Sequence, residues 1–272
     1  MHGYPGVSQT TKKNGDIYYR SSITVSGKHI SLGSFISPSA ASAAYRQACD
    51  VLQQSCHTIS TYSPDCALDF TKYVSLVNLR DCGLYFKTPI YLQKHYFYYY
   101  ITPEQFFIFD REDLFFYATH TIQFRGGYYF VCDYGSQYSI LSRYGIHSYA
   151  RKGIDYVFVN GNEYDFRYEN IRIINDYMGV SQIAHSGSSI YETVIHIHGN
   201  YIVGRYPDAI TAAIAYNKAA DLLEAQGIGK TYSRNYIHSY TSKQYQDAYA
   251  RIHISDKILS YCDHSSEKKI ED

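Results

Sequence analysis

With 272 residues, 45 % of them apolar, the chain is long enough to bury a core and to hold one to three domains. Lys+Arg and Asp+Glu balance at 25 each, so the chain as a whole lacks the positive excess of a strongly basic nucleic-acid binder. There is no run of 18 apolar residues, no charged start followed by an apolar stretch, and no C-x-x-C pair among six cysteines; the expectation is therefore a soluble intracellular protein with reduced thiols, without a membrane span, a disulfide framework or a bound metal or other cofactor.

Taken in chain order, the first segment, 1–55, opens on strand chemistry. Tyr18 to Val25 is aromatic and β-branched, Ser26-Gly27-Lys28 supplies a turn, and His29 to Phe35 reads as a further strand, which together predict two hairpins and three strands. Ser37 before Pro38 forms an N-cap and first-turn pair. The helix that follows has an apolar stripe of Ala41, Ala44, Tyr45, Ala48, Val51 and Leu52 at 3.6-residue spacing, and its small alanines let it lie close on a sheet.

Residues 56–110 read as a connecting segment with a short helix over 71–82 and no other clear periodicity. A β-rich segment spans 111–176. From Gly179 the first module repeats: Gly179-Val180-Ser181-Gln182 copies Gly6-Val7-Ser8-Gln9, and Ala215-Tyr216 to Leu223 lies over Ala44-Tyr45 to Leu52. Asp208 takes the N-cap place of Ser37. Thr231-Tyr232-Ser233 echoes Thr61-Tyr62-Ser63, and Tyr245, Ala248, Tyr249 and Ile252 mark a trailing helix, so the second module is expected over 177–258 with a tail at 259–272.

These residues carry a resemblance to the AP2 domain. Tyr19-Arg20-Ser21-Ser22-Ile23 resembles the family's Trp-x-Ala-x-Ile, Leu32-Gly33-Ser34-Phe35 its Leu-Gly-x-Phe, and Ala43-Ala44-Tyr45 its Ala-x-x-Ala-Tyr helix signature. The second copy retains Gly179-Val180, Tyr191, Ile195, Gly204, Tyr206 and Ala215-Tyr216. The resemblance implies an α+β fold: two AP2-like modules, each a three-stranded antiparallel sheet plus one helix, flanking the central segment.

That segment is similar to the HNH nucleases found joined to AP2 domains. Asn160-Gly161-Asn162, Asp165, Arg167 and Asn170-Ile171-Arg172 follow their Asn-Gly-Asn-x-x-Asp-Asn-Arg-x-x-Asn-Leu-Arg spacing, and Leu141-Ser142-Arg143 resembles their Leu-His-Arg. Phosphodiester hydrolysis at such a site needs an imidazole to activate water and side chains to hold a divalent metal. Phe158 stands at the general-base position, Val157 before it and Ser142 at the upstream histidine position, so no catalytic residue and no metal site are expected. His147 and Asp155 are the candidates for a relocated site, against the blander reading of a surface histidine.

In AP2 domains that bind DNA, the exposed sheet face enters the major groove. Carried over, that face comprises Pro5, Ser8, Thr10, Ser22, Thr24, His29 and Ser31, with Lys12, Lys13, Arg20 and Lys28 able to reach phosphates. The expected partner is DNA or RNA, in competition with a solvated face that has no ligand. The matching positions of the second copy are Met178, Ser181, Ile183, Val194, His196 and Ile202; the apolar Met178, Ile183, Val194 and Ile202 predict a covered face packed on the central segment, a second copy or another protein. The expectation is thus a non-catalytic nucleic-acid-binding protein of endonuclease ancestry with a regulatory role, and the alternative is a structural role in a larger assembly.

Overall fold

A computed structural model describes residues 4–147, 150–185, 188–227 and 231–260. Most of the expected tail and Cys262 lie outside them. The fold is α+β, and its contacts group into two compact units: residues 1–145 with 158–171, and residues 146–157 with 172–272.

In the first unit, strands β1 (Val7–Thr11), β2 (Ile17–Val25) and β3 (Lys28–Phe35) form an antiparallel sheet in the order β1-β2-β3. Helix α1 (Pro38–Gln53) follows at once, its N-cap Ser37 accepting from the Ala40 amide at 3.2 Å. Ala41, Ala44, Ala48 and Val51 are fully buried, and Ile30 and Leu32 are buried in the sheet face beneath. Helix α2 (Phe70–Cys82) completes this core with Tyr73, Val74, Leu76 and Val77. Arg80 in its last turn donates to three carbonyls, Val51, Gln54 and His57, at 3.0, 2.8 and 2.7 Å, so a side chain of α2 satisfies the otherwise open C-terminal end of α1.

The connecting stretch holds more structure than its sequence suggests. Strands β4 (Ile90–Leu92), β5 (Tyr96–Tyr100) and β6 (Phe106–Asp110) form a second antiparallel sheet, and helix α3 (Leu114–Tyr117) follows a turn after it. The core here is aromatic: Phe97, Tyr99, Phe107, Phe109 and Tyr117 are essentially solvent-free, with the Phe109 and Tyr117 rings stacked at 4.1 Å. A third antiparallel sheet consists of β7 (Ile122–Arg125), β8 (Tyr128–Asp133) and β9 (Ser136–Ser139). β10 (Tyr156–Phe158) pairs with β11 (Ile171–Ile173) where the chain passes between units.

In the second unit, β12 (Val180–His185), β13 (Ser188–His196) and β14 (Asn200–Tyr206) form the sheet, and α4 (Ala209–Ala225) lies against it, capped by Asp208 accepting from the Thr211 amide at 2.8 Å. Helix α5 (Ser242–Arg251) opens with a Thr241/Gln244 capping box. The two copies agree in fine detail. Both sheets carry a bulge at the same place, Ser21/Ser22 and Thr193/Val194. Gly6 and Gly179 have φ of +69° and +71°, and their carbonyls accept from Ser22 and Val194 at 2.9 and 2.7 Å. The duplication extends through the second helix, where Tyr73 and Tyr245 stand at the same distance from the N-caps Asp69 and Thr241.

Candidate nucleic-acid interface

Directly opposed residues of an antiparallel pair point to the same side of the sheet. In the first sheet Ser8 faces Arg20 and Arg20 faces Ser34; Thr10 faces Tyr18, Ser22 faces Ser31, and Thr24 faces His29. The side away from α1 is therefore lined by seven hydroxyls, one guanidinium and one imidazole, while Ser21, Ile23, Ile30 and Leu32 point inward. Of the sequence-derived residues, Ser8, Thr10, Arg20, Ser22, Thr24, His29 and Ser31 share this face. Lys12 and Lys13 lie in the β1–β2 turn at its edge, where the Lys12 amide bonds to Asp16 at 2.8 Å. Lys28 sits apart: it opposes Val25, and its ammonium lies 4.9 Å from the Tyr85 ring.

Arg20 donates to the Tyr18 hydroxyl at 2.8 Å, its guanidinium 5.4 Å from that ring, and among the described residues it makes no ion pair, nor do Lys12 or Lys13. The sequence reading missed Tyr18 and Ser34. Tyr18 was legible from the strict alternation of 18, 20, 22 and 24. Ser34 was not, because the bulge turns both Ser31 and Ser34 outward despite their odd spacing.

The turn at 160–170 is a hydrogen-bonded cluster within the first unit. Asp165, 1 % exposed, accepts from Arg167 Nε and Nη2 at 2.9 and 2.7 Å, from Asn160 Nδ2 at 2.9 Å and from the Arg167 amide at 3.2 Å. Burial opposes its ionisation, but these donors outweigh burial and hold the carboxyl below the usual carboxylate range. Asn170 accepts from the Asn160 amide and donates to the Asp165 carbonyl, both at 2.8 Å. Phe158 packs edge-on against Phe166, ring centroids 5.7 Å apart. Asp113, also 1 % exposed, is held by Arg143 at 2.5 Å. Asp155, in the second unit, accepts from the Arg151 amide at 2.7 Å and from Asn175 Nδ2 at 3.0 Å. His147 is exposed. Among the described residues no three His, Cys, Asp or Glu side chains gather closely enough to hold a metal ion.

The outer face of the second sheet pairs Ile183 with Ile190 and Val194 with Ile202, beside Glu192 paired to Arg205 at 2.9 Å. Ile202 is 47 % exposed, and Arg151 Nη2 donates to Ser181 on this face at 2.7 Å. Met178 does not belong to it. Gly179 turns the chain, and Met178 packs on the α4 side, its Sδ accepting from the Tyr216 hydroxyl at 3.0 Å while its amide and carbonyl bond Asn235 at 2.7 and 3.1 Å. No family model, curated protein or solved structure matches this chain.

Proposed function

We propose that this chain is a non-catalytic nucleic-acid-binding protein of HNH/AP2 endonuclease ancestry, in which the first AP2-like module contacts phosphates through its open sheet face. The observation that supports this reading is the lining of that face: every outward side chain is a hydrogen-bonding type, and Arg20, Lys12 and Lys13 have no carboxylate partner among the described residues. A guanidinium among hydroxyls suits phosphate and sugar contacts, whereas the absence of further arginines leaves little for reading base edges. Binding is therefore expected to be weakly sequence-selective and strongly salt-dependent.

Fluorescence anisotropy with random and AT-rich duplexes and an RNA hairpin, over a salt series, tests it. The expected slope of log affinity against log salt reflects about two to four phosphate contacts. Replacing Lys12, Lys13, Arg20 and Lys28 together with alanine abolishes binding; Lys28→Ala alone has the smallest effect, since its ammonium is turned to Tyr85. No detectable binding by the unaltered protein at low salt would overturn the reading.

Hydrolysis is not part of this function, because Phe158 and Val157 can neither take up a proton nor ligate a metal, and Ser142 stands where the reaction needs an imidazole. Supercoiled plasmid incubated with the protein and Mg²⁺ or Mn²⁺ is expected to stay intact. Specific cleavage that disappears on substituting His147 or Asp155 would contradict this. The apolar strip with the half-exposed Ile202 favours a second reading, a scaffolding role in a larger assembly through the second module.

A further inference from the structure

The charge of the chain is balanced only in sum. Between residues 5 and 36 the single carboxylate is Asp16, against Lys12, Lys13, Arg20 and Lys28, whereas the corresponding stretch of the second copy, 178–207, holds only Glu192 and Arg205, paired to each other at 2.9 Å. Asp16 lies in the β1–β2 turn, where its carboxylate accepts from Asn14 Nδ2 at 2.7 Å. The first sheet is therefore complementary to a polyanion, and the second is not. The hydroxyls of the first sheet are available as well. None of those on Ser8, Thr10, Ser22, Thr24, Ser31 and Ser34 is bonded to another group among the described residues, and none of these residues is buried. In the second copy the position of Ser8 is Ser181, whose hydroxyl accepts from Arg151 at 2.7 Å, and the position of Ser22 is Val194.

The depth of the face decides which nucleic acid it can touch. Its hydroxyls end one bond beyond Cβ, so the face is shallow, about 10 Å across three strands and about 20 Å along β2 from Tyr18 to Thr24. The base edges of B-form DNA lie on the floor of a major groove about 8.5 Å deep or within a minor groove about 6 Å wide, where short side chains on a broad sheet do not reach. Unpaired strands are held on aromatic platforms. Here the one phenol ring, Tyr18, is half-buried, with the Arg20 guanidinium 5.4 Å from its centre and bonded to its hydroxyl. The minor groove of an A-form helix, by contrast, is wide and shallow and displays 2′-hydroxyls. A serine or threonine hydroxyl both donates and accepts, as a 2′-hydroxyl does, so the two surfaces can bond without deep insertion.

We propose that the first module binds double-stranded RNA, its sheet laid across the minor groove with the free serine and threonine hydroxyls on 2′-hydroxyls and with Arg20, Lys12 and Lys13 on the adjoining phosphates. The proposal rests on the nucleic-acid reading above and fixes its substrate class.

Fluorescence anisotropy of the whole chain tests it with one sequence prepared as duplex RNA, duplex DNA, single-stranded RNA and 2′-O-methylated duplex RNA, which keeps the A form but lacks the hydroxyl donors. Each neutral hydrogen bond changes affinity by about 2- to 10-fold, so duplex RNA is expected to bind on the order of 10- to 100-fold more tightly than duplex DNA or the methylated duplex. The combined variant Ser22→Ala, Thr24→Val, Ser31→Ala removes three exposed hydroxyls without touching the buried face, and is expected to melt cooperatively and to bind duplex RNA no better than DNA. Equal or tighter binding of DNA, of single-stranded RNA or of the methylated duplex, or a preference for duplex RNA that survives in the variant, would overturn the proposal and leave the nucleic-acid reading standing. No binding of any probe at low salt would overturn both.

Discussion

Gly179→Ala is expected to destabilise the second unit by about 2–4 kcal/mol, and Gly6→Ala the first by a similar amount. Both glycines have positive φ, +71° and +69°, where an L side chain is strained. A methyl group on Gly179 would also run into the Tyr216 ring and the Val194 carbonyl; one on Gly6 would run into the Tyr45 ring and would lie 2.6 Å from the Ser22 carbonyl. A ring can shift, but the carbonyls cannot, because they belong to strands at the bulge where the glycine carbonyl itself is bonded. Scanning calorimetry on each variant should find a transition lowered by on the order of 5–15 °C. Gly27→Ala is the control: its φ is +78° and nothing lies within 4 Å of the added carbon, so only conformational strain, about 1–2 kcal/mol, is expected. Equal effects at Gly27 and Gly179 would show that the close approach to Val194 and Tyr216 has no energetic weight.

Asp165→Ala is expected to cost about 2–4 kcal/mol, because it removes the buried partner of the Arg167 guanidinium, leaving it only the exposed Glu169 carboxylate, and leaves the Asn160 side-chain amide without an acceptor. The pH dependence follows from the depressed carboxyl. The unfolded chain binds this proton more readily than the folded one, so the contribution is complete above the unfolded carboxylate pKa of about 4 and fades as pH falls through the lower folded value. Asp165→Asn should remain destabilised at pH 7 and lose less further stability than the unaltered protein between about pH 4 and 2. Urea titrations at several pH values measure both effects. Parallel acid limbs in the two proteins would mean that other carboxylates govern acid unfolding.

The duplicated architecture was legible because its signals are local. The Ser37-Pro38 and Asp208 starts, the alanine stripe of α1 and the Tyr245 to Ile252 spacing mark elements whose observed bounds agree closely with the reading. The β4–β6 sheet was not legible. Tyr96 to Tyr100 alternates strictly in burial, with Phe97 and Tyr99 solvent-free, yet every residue in it is aromatic, so composition hides the period. The grouping of the candidate residues was legible in the sequence, since alternation alone assigns Ser8, Thr10, Arg20, Ser22 and Thr24 to one side of the sheet. Met178, read as part of the outer face of the second sheet, lies on the α4 side instead, because Gly179 turns the chain just before the strand and breaks the two-residue rule.

Strand β6 lies at the edge of its sheet, and its outer side is completed by a distant part of the chain: the Ile108 amide bonds the Tyr164 carbonyl at 2.9 Å, and the Phe166 amide returns to Ile108 at 2.8 Å. During synthesis, that edge waits until residues 158–171 leave the ribosome, which at roughly 5–20 residues per second is a matter of seconds. Throughout this interval a strand of sequence Phe-Phe-Ile-Phe-Asp presents unpaired backbone groups beside an aromatic core, a template for pairing with another nascent chain. Premature termination anywhere between residues 111 and 158 should therefore yield aggregating fragments, and the demand on chaperones falls on the middle of translation.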